Sequence, residues 1–212
     1  MSAGHVMDVF IKKPLFVGTA STWHQIIGDF RATTISPGKT REDDPLDYAF
    51  LPVSNEDAAA LDGCHFLTAE QIALREEIVF APPFRNKYLA LGWPLNRLNF
   101  VRKEKATEPE NLAFTGVIAP QAAYVRHHRD PRLHILIEFD KKGMIGRGGG
   151  PQLPPSFHGL SGGGIFTLPG VTRLGDMSPP RLVGLTIETW PAEDLYVGTR
   201  IDLISEALSA TA

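Results

Sequence analysis

Ser161 stands among four glycines, in the stretch Phe157-His158-Gly159-Leu160-Ser161-Gly162-Gly163-Gly164-Ile165-Phe166. Glycine tolerates positive φ and leaves no Cβ over the backbone, so a loop of this kind can lay a substrate carbonyl against bare N–H groups. That is what stabilising an oxyanion requires. A serine hydroxyl is a weak nucleophile at neutral pH and becomes catalytic only with a base and a group that orients the base. A lone G-x-S-x-G is more often a solvated turn, so the weight falls on what the rest of the chain supplies.

Asp47 is one candidate partner. It ends the acidic run Arg41-Glu42-Asp43-Asp44-Pro45-Leu46-Asp47 and opens the apolar run Tyr48-Ala49-Phe50-Leu51-Pro52-Val53. A carboxylate there is costly to desolvate unless it meets a donor such as an imidazole N–H. Asp43 and Asp44 read as loop acids. His5, in Ser2-Ala3-Gly4-His5-Val6, reads on position alone as part of a frayed terminus. Chain order narrows the choices. G-x-S-x-G also fits the nucleophile elbow of an α/β-hydrolase, which needs an acid and then a histidine after the serine. No histidine follows Ser161, so the order on offer is His, Asp, Ser.

These stretches together resemble the trypsin-like (chymotrypsin-fold) serine proteases. That family carries its base in a TAAHV or SAGHV sequence at a strand end and its acid in a D-x-A-hydrophobic-L context, matched here by Ser2 to Val6 and by Asp47-Tyr48-Ala49-Phe50-Leu51. Its GxSGG loop precedes an LVGI-type strand and one reading roughly GxYTRI before a final helix. Arg181 to Glu188 and Tyr196 to Ile201 are similar to these, and Tyr88-Leu89-Ala90-Leu91-Gly92-Trp93-Pro94 is similar to the AxGxP segment that opens the second barrel in bacterial members.

The resemblance implies an all-β fold of two antiparallel Greek-key barrels and a short C-terminal helix. Residues 1–84 would form an N-terminal barrel carrying His5 and Asp47, and residues 85–212 a C-terminal barrel carrying Ser161. It further implies a serine endopeptidase in which Ser161 attacks, His5 relays the proton and Asp47 fixes the imidazole. The backbone N–H groups of Gly159 and Ser161 would form the oxyanion hole, and Pro155, Thr186, Ile187 and Glu188 would border the substrate pocket. There are departures. Gly164 replaces the proline that commonly follows SGG, and Ile187-Glu188 replaces a segment usually small. Only four residues precede His5, where the family has about two strands. The expectation is an incomplete first barrel, unpaired edges near His5 and weak activity. The competing class is a protease-fold relic that serves as a binding or scaffold module.

Composition sets the frame. With 212 residues, 43% hydrophobic and 21% charged, the chain falls in the globular range, and a net charge of -3 with a pI near 6.2 gives no basic footprint for nucleic acid. One cysteine, Cys64, excludes an intrachain disulfide and reads as a small buried hydrophobe. No run has the apolar length of a membrane span, and the first residues lack the layout of a signal peptide, so the expected location is the cytoplasm. His127, His128 and His134 match no metal spacing and read as a solvated hairpin, while Gly148 to Gly150 lack the Lys-Ser/Thr of a phosphate loop. The expected partner is a peptide or protein substrate, with no cofactor, metal, nucleic acid or membrane.

The positioning elements follow from pattern. Pro14 to Thr19 and Phe30 to Ile35 read as strands with Trp23 and His24 between them, as do Tyr48 to Val53, Leu112 to Ala119 and His134 to Phe139. Residues 56–77 read as helical, with a capping box from Thr68 to Gln71. Residues 78–85 form the passage between barrels, residues 101–111 a charged loop, and residues 143–155 a Gly/Pro-rich approach to the serine.

Overall fold

The computed structural model describes residues 1–8, 15–18, 23–61, 63–73, 76–80, 85–92, 98–101, 106–109, 112–139, 160–169 and 175–210. The amino-terminal part is organised by Tyr48-Ala49-Phe50, whose three side chains are all buried. Strand β1 (Ser2–Ala3) runs into helix α1 (Gly4–Asp8), β2 (Leu15–Gly18) pairs with β3 (Trp23–Ile26), and β4 (Arg31–Ala32) precedes β5 (Tyr48–Phe50) and α2 (Asn55–Ala60). In a three-stranded sheet of order β1-β5-β4, Ser2 is opposite Ala49 and Ala3 opposite Tyr48. The segment before His5 is therefore paired, and Ala3 is fully buried. Among the described residues the first 84 form this sheet and the β2-β3 hairpin rather than a closed barrel.

The carboxy-terminal part follows as β6 (Lys87–Gly92), β7 (Leu98–Val101), β8 (Ala106–Pro109), β9 (Leu112–Ile118), α3 (Gln121–Arg126), β10 (His134–Phe139), β11 (Gly164–Thr167), β12 (Leu182–Trp190), β13 (Leu195–Arg200) and α4 (Ile201–Ser209). Six of these strands close an antiparallel barrel in the order β10-β13-β12-β11-β6-β9. The strand sequences fit a barrel wall. β6 alternates half-buried and buried residues, and the inner aromatics Phe114 and Tyr196 lie 4.3 Å apart between ring centres. A second cluster packs Tyr48 and Phe50 of β5 against Leu182 and Leu185 of β12 and Ile201 and Ile204 of α4. The segment ahead of that passage lies on the barrel: Ala73 N–H donates to the Leu182 carbonyl at 2.8 Å, and Arg200 Nη2 donates to the Glu76 carbonyl at 2.8 Å.

Several local expectations are corrected. Residues 98–109 contain the β7-β8 hairpin instead of a loop, because backbone pairing needs no hydrophobic alternation in so charged a segment. Trp23 and His24 lie inside β3, and of Phe30 to Ile35 only Arg31 and Ala32 form strand, with Thr33 N–H donating to the Tyr48 carbonyl at 3.1 Å. The stretch before His134 is helix α3 followed by a turn with His128 at φ 51°, and His134 itself is buried. Cys64 is half-buried. The capping box is present: Thr68 N–H donates to Gln71 Oε1 at 2.9 Å. Among the described residues no helix is long and apolar enough to cross a membrane, and no group of three or more His, Cys, Asp or Glu side chains is placed to hold a metal ion.

Candidate active site

The site begins where β1 becomes α1. Gly4 N–H donates to the Asp47 carbonyl at 2.7 Å, continuing the β1-β5 pairing by one residue. The next backbone N–H, that of His5, donates to Asp47 Oδ1 at 2.8 Å. His5 Nδ1 lies 2.5 Å from Asp47 Oδ2, so the two carboxylate oxygens grip the backbone and the ring of one residue. The carboxylate is 9% exposed and the imidazole 44%, which puts the pair at a surface with the acid on the inside. A carboxylate oxygen only accepts, so Nδ1 carries the proton and Nε2 is left to act as a base. The bond to Asp47 raises the His5 pKa above its ordinary value against the opposing effect of burial; the charges of Asp47 and Asp8 add to the rise and Arg41 subtracts from it.

Gly4 is needed for room, since a Cβ there would lie 2.8 Å from Asp47 Oδ1 and 3.3 Å from Arg41 Nη1. Asp47 has φ 38°, in the left-handed region that costs an ordinary residue about 1–3 kcal/mol. An arginine ties down the surroundings. Arg41 forks onto Asp8 through Nε at 3.0 Å and Nη2 at 3.2 Å, and its Nη1 donates to Asp44 Oδ2 at 3.0 Å and to the Thr33 carbonyl at 2.9 Å. Asp44 also accepts from the Thr33 hydroxyl and from Leu46 N–H. Arg41 thus ties the loop carrying Asp47 to the helix carrying His5. Asp44, expected as a loop acid, has a side chain only 5% exposed and belongs to this tie.

Ser161 comes from the other part of the chain. Gly163 N–H donates to the Leu160 carbonyl at 2.9 Å, closing a turn with Ser161 at its second position and Gly162 at its third, where φ is +86°. Glycine is required there twice over: the φ is unfavourable to other residues, and a Cβ would collide with Ser2 Oγ. That contact sets the serine turn directly against β1, three residues from His5. The turn is bound to β12 in both directions, Gly162 N–H to the Thr186 carbonyl at 2.7 Å and Thr186 N–H to the Gly163 carbonyl at 2.8 Å. The Ser161 hydroxyl donates to the Ile187 carbonyl at 3.3 Å instead of to His5. Among the described residues the Ser161 N–H has no acceptor.

The chain matches no protein-family model and no curated protein.

The remaining expected residues are placed as follows. Thr186 is buried, and Ile187, also buried, sits at a bulge where Thr186 faces Gly198 and Glu188 faces Val197. The bulge takes the Ile187 main chain out of the ladder and turns its carbonyl to Ser161. Both oxygens of Glu188 are engaged, Oε2 by Arg129 Nη2 at 2.6 Å and Oε1 by Trp190 Nε1 at 2.6 Å. Gly159 and Pro155 lie outside the described residues. The structure thus joins His5 with Asp47, sets the Ser161 turn against Ser2 and Ala3 of β1, and leaves the serine-to-imidazole hydrogen bond unmade. Sequence reasoning missed Asp8, Arg41 and Asp44; the only signal was an arginine leading the acidic run.

Proposed function

We propose that the protein is a serine hydrolase of the trypsin-like type, an endopeptidase that acts through an acyl-enzyme. The observation that carries this reading is the double grip of Asp47 on His5, which leaves Nε2 as a free base, while the glycine-framed serine turn packs against Ser2 of β1. The barrel supports it. Its strands run β11-β6-β9-β10, a fourth strand returning beside the first of three, an order that supports a Greek-key reading. In the proposed reaction Ser161 Oγ bonds to the scissile carbonyl carbon as its proton passes to His5 Nε2. The carbonyl π pair moves to oxygen, where the Ser161 N–H receives it, and Gly159 N–H by the family resemblance. Collapse breaks the C–N bond, and the amine leaves with the proton from Nε2. Water then repeats the sequence and frees the acid. Before attack the hydroxyl must leave the Ile187 carbonyl and meet Nε2.

The substrate in this reading is a peptide or protein. The second reading, a protease-fold binding module without turnover, is favoured by the present direction of the Ser161 hydroxyl. A fluorophosphonate probe separates the two. The full chain is expected to be labelled at one serine and Ser161→Ala to abolish labelling, with circular dichroism confirming that both are folded. Equal labelling of the variant would refute the assignment, and a folded parent that resists the probe would favour the binding module.

A further inference from the structure

His134 is an unexpected residue to find 2% exposed at the start of a barrel strand. Its two ring nitrogens both face backbone carbonyl oxygens: Nε2 is 2.6 Å from that of Pro45 and Nδ1 3.2 Å from that of Asp130. Carbonyls only accept, so each contact needs an N–H, and a neutral imidazole has one. The shorter contact takes it, and Nε2–H donates to Pro45. Burial, the largest influence, together with the positive charge of Arg129 holds the ring below the ordinary histidine pKa, against the bonds to Pro45 and Asp130 and the charge of Asp130. The neutral form with its proton on Nε2 is therefore the working one near neutral pH.

Pro45 stands two residues before Asp47. The carbonyl between them, that of Leu46, accepts from the hydroxyl of Thr199. Thr199 and His134 are direct cross-strand partners on β13 and β10. One rung of the barrel thus takes both carbonyls that lead into the residue with φ 38°. Asp47 itself spends its main-chain carbonyl on Gly4 and its carboxylate on His5. A left-handed Asp persists only where its neighbours over-determine it, and here Arg41, Asp44 and Gly4 are joined by the barrel that also carries Ser161.

We propose that His134 and Thr199 are positioning residues of the site: they fix the loop before Asp47 to the serine-bearing barrel and so set where the Asp47 carboxylate meets His5. The role rests on the reading of His5 and Asp47 as base and orienting acid, and it is a link between the two halves of the site that neither half makes alone.

The test uses the full chain and two readouts. NMR follows the His5 ring titration and its Nδ1 proton, and the fluorophosphonate rate follows Ser161. In His134→Leu the Pro45 carbonyl loses its donor and the loop relaxes. The His5 midpoint is then expected to fall toward the ordinary histidine value, the Nδ1 proton signal to weaken, and labelling to slow by up to about a hundredfold, the cost of a misplacement near 1 Å. His134→Gln keeps an N–H donor and is expected to restore all three. Thr199→Val, nearly isosteric, carries the same expectation as His134→Leu and serves if that variant does not fold. A role confined to overall stability would move the unfolding midpoint and leave His5 unchanged. An unchanged His5 titration and Nδ1 signal in the folded variants overturns the proposal. A parent that does not label, with the His5 changes present in the variants, refutes the acyl-transfer reading while supporting the tether.

Discussion

Replacing Asp47 by asparagine tests the arrangement with one atom. Asp47 Oδ1 receives the His5 backbone N–H at 2.8 Å and Oδ2 faces Nδ1 at 2.5 Å. An asparagine can serve only one of these with oxygen. If its oxygen keeps the backbone N–H, its NH₂ points at Nδ1, the ring proton must move to Nε2, and the base is lost. If it turns round, two N–H donors oppose each other and a part-buried backbone donor goes unpaired, at about 1–3 kcal/mol. The first orientation is therefore favoured roughly ten- to a hundredfold, and the small remainder no longer has a carboxylate to stabilise the imidazolium. Together these amount to a loss of about four orders of magnitude, roughly 5 kcal/mol of barrier, as in the serine-protease template. The assay is the second-order rate of fluorophosphonate labelling between about pH 5 and pH 9. In the parent the acid limb, where the ring becomes neutral, is expected above about 6.5, because the Asp47 bond raises the His5 pKa. Asp47→Asn removes that cause and moves the limb down. The linkage has a definite sign: a raised histidine pKa stabilises the fold fully below the unfolded value and ceases to as pH rises through the folded one. The stability gap between parent and variant therefore narrows as the solution becomes alkaline. A variant that labels at the parent rate with an unmoved acid limb would refute the whole argument for Asp47.

Two further outcomes follow from the ion pairs around the site. Arg41→Leu leaves the nearly buried Asp44 carboxylate without its charge partner and is expected to cost about 3 kcal/mol in urea unfolding at neutral pH. Burial works to raise the Asp44 pKa, but bonds from Thr33, the Leu46 and Asp47 backbone and Arg41 outweigh it and hold it low; the difference should persist above about pH 4 and shrink as pH falls through the lowered value. Glu188→Gln is expected to leave the ratio of cleavage after basic and neutral residues unchanged, because Arg129 and Trp190 already occupy both carboxylate oxygens. A collapse in cleavage after lysine and arginine, read from a peptide library, would restore Glu188 as a selector.

What could be read from the sequence was local. Small residues before His5 give a strand that turns into a helix, Thr68 and Gln71 give their box, and alternating residues in β6 and β9 give barrel wall. Asp47 was visible because an acid at the head of an apolar run needs a donor. The β7-β8 hairpin was hidden because Leu98 to Val101 and Ala106 to Pro109 are short runs flanking a charged stretch. Arg41, Asp8 and Asp44 meet only after β1, β4 and β5 assemble, and His134 binds main-chain carbonyls, which carry no residue signature. Nor could the engagement of Glu188 be read, since Arg129 reaches it from a turn far away in the chain.

The seam that closes the barrel pairs β6 with β11, bringing Tyr88 opposite Thr167. Contacts between such distant residues form slowly, because the loop entropy comes due before the pairing rewards it. Ser161 lies just ahead of β11, and its turn is bound both ways to Thr186 on β12. A nascent or half-folded chain therefore has a serine but no turn to present it, and an imidazole whose acid is not yet docked on the barrel. The proposed hydrolytic centre exists only once β12 holds the serine turn and the Asp47 loop has docked on the barrel.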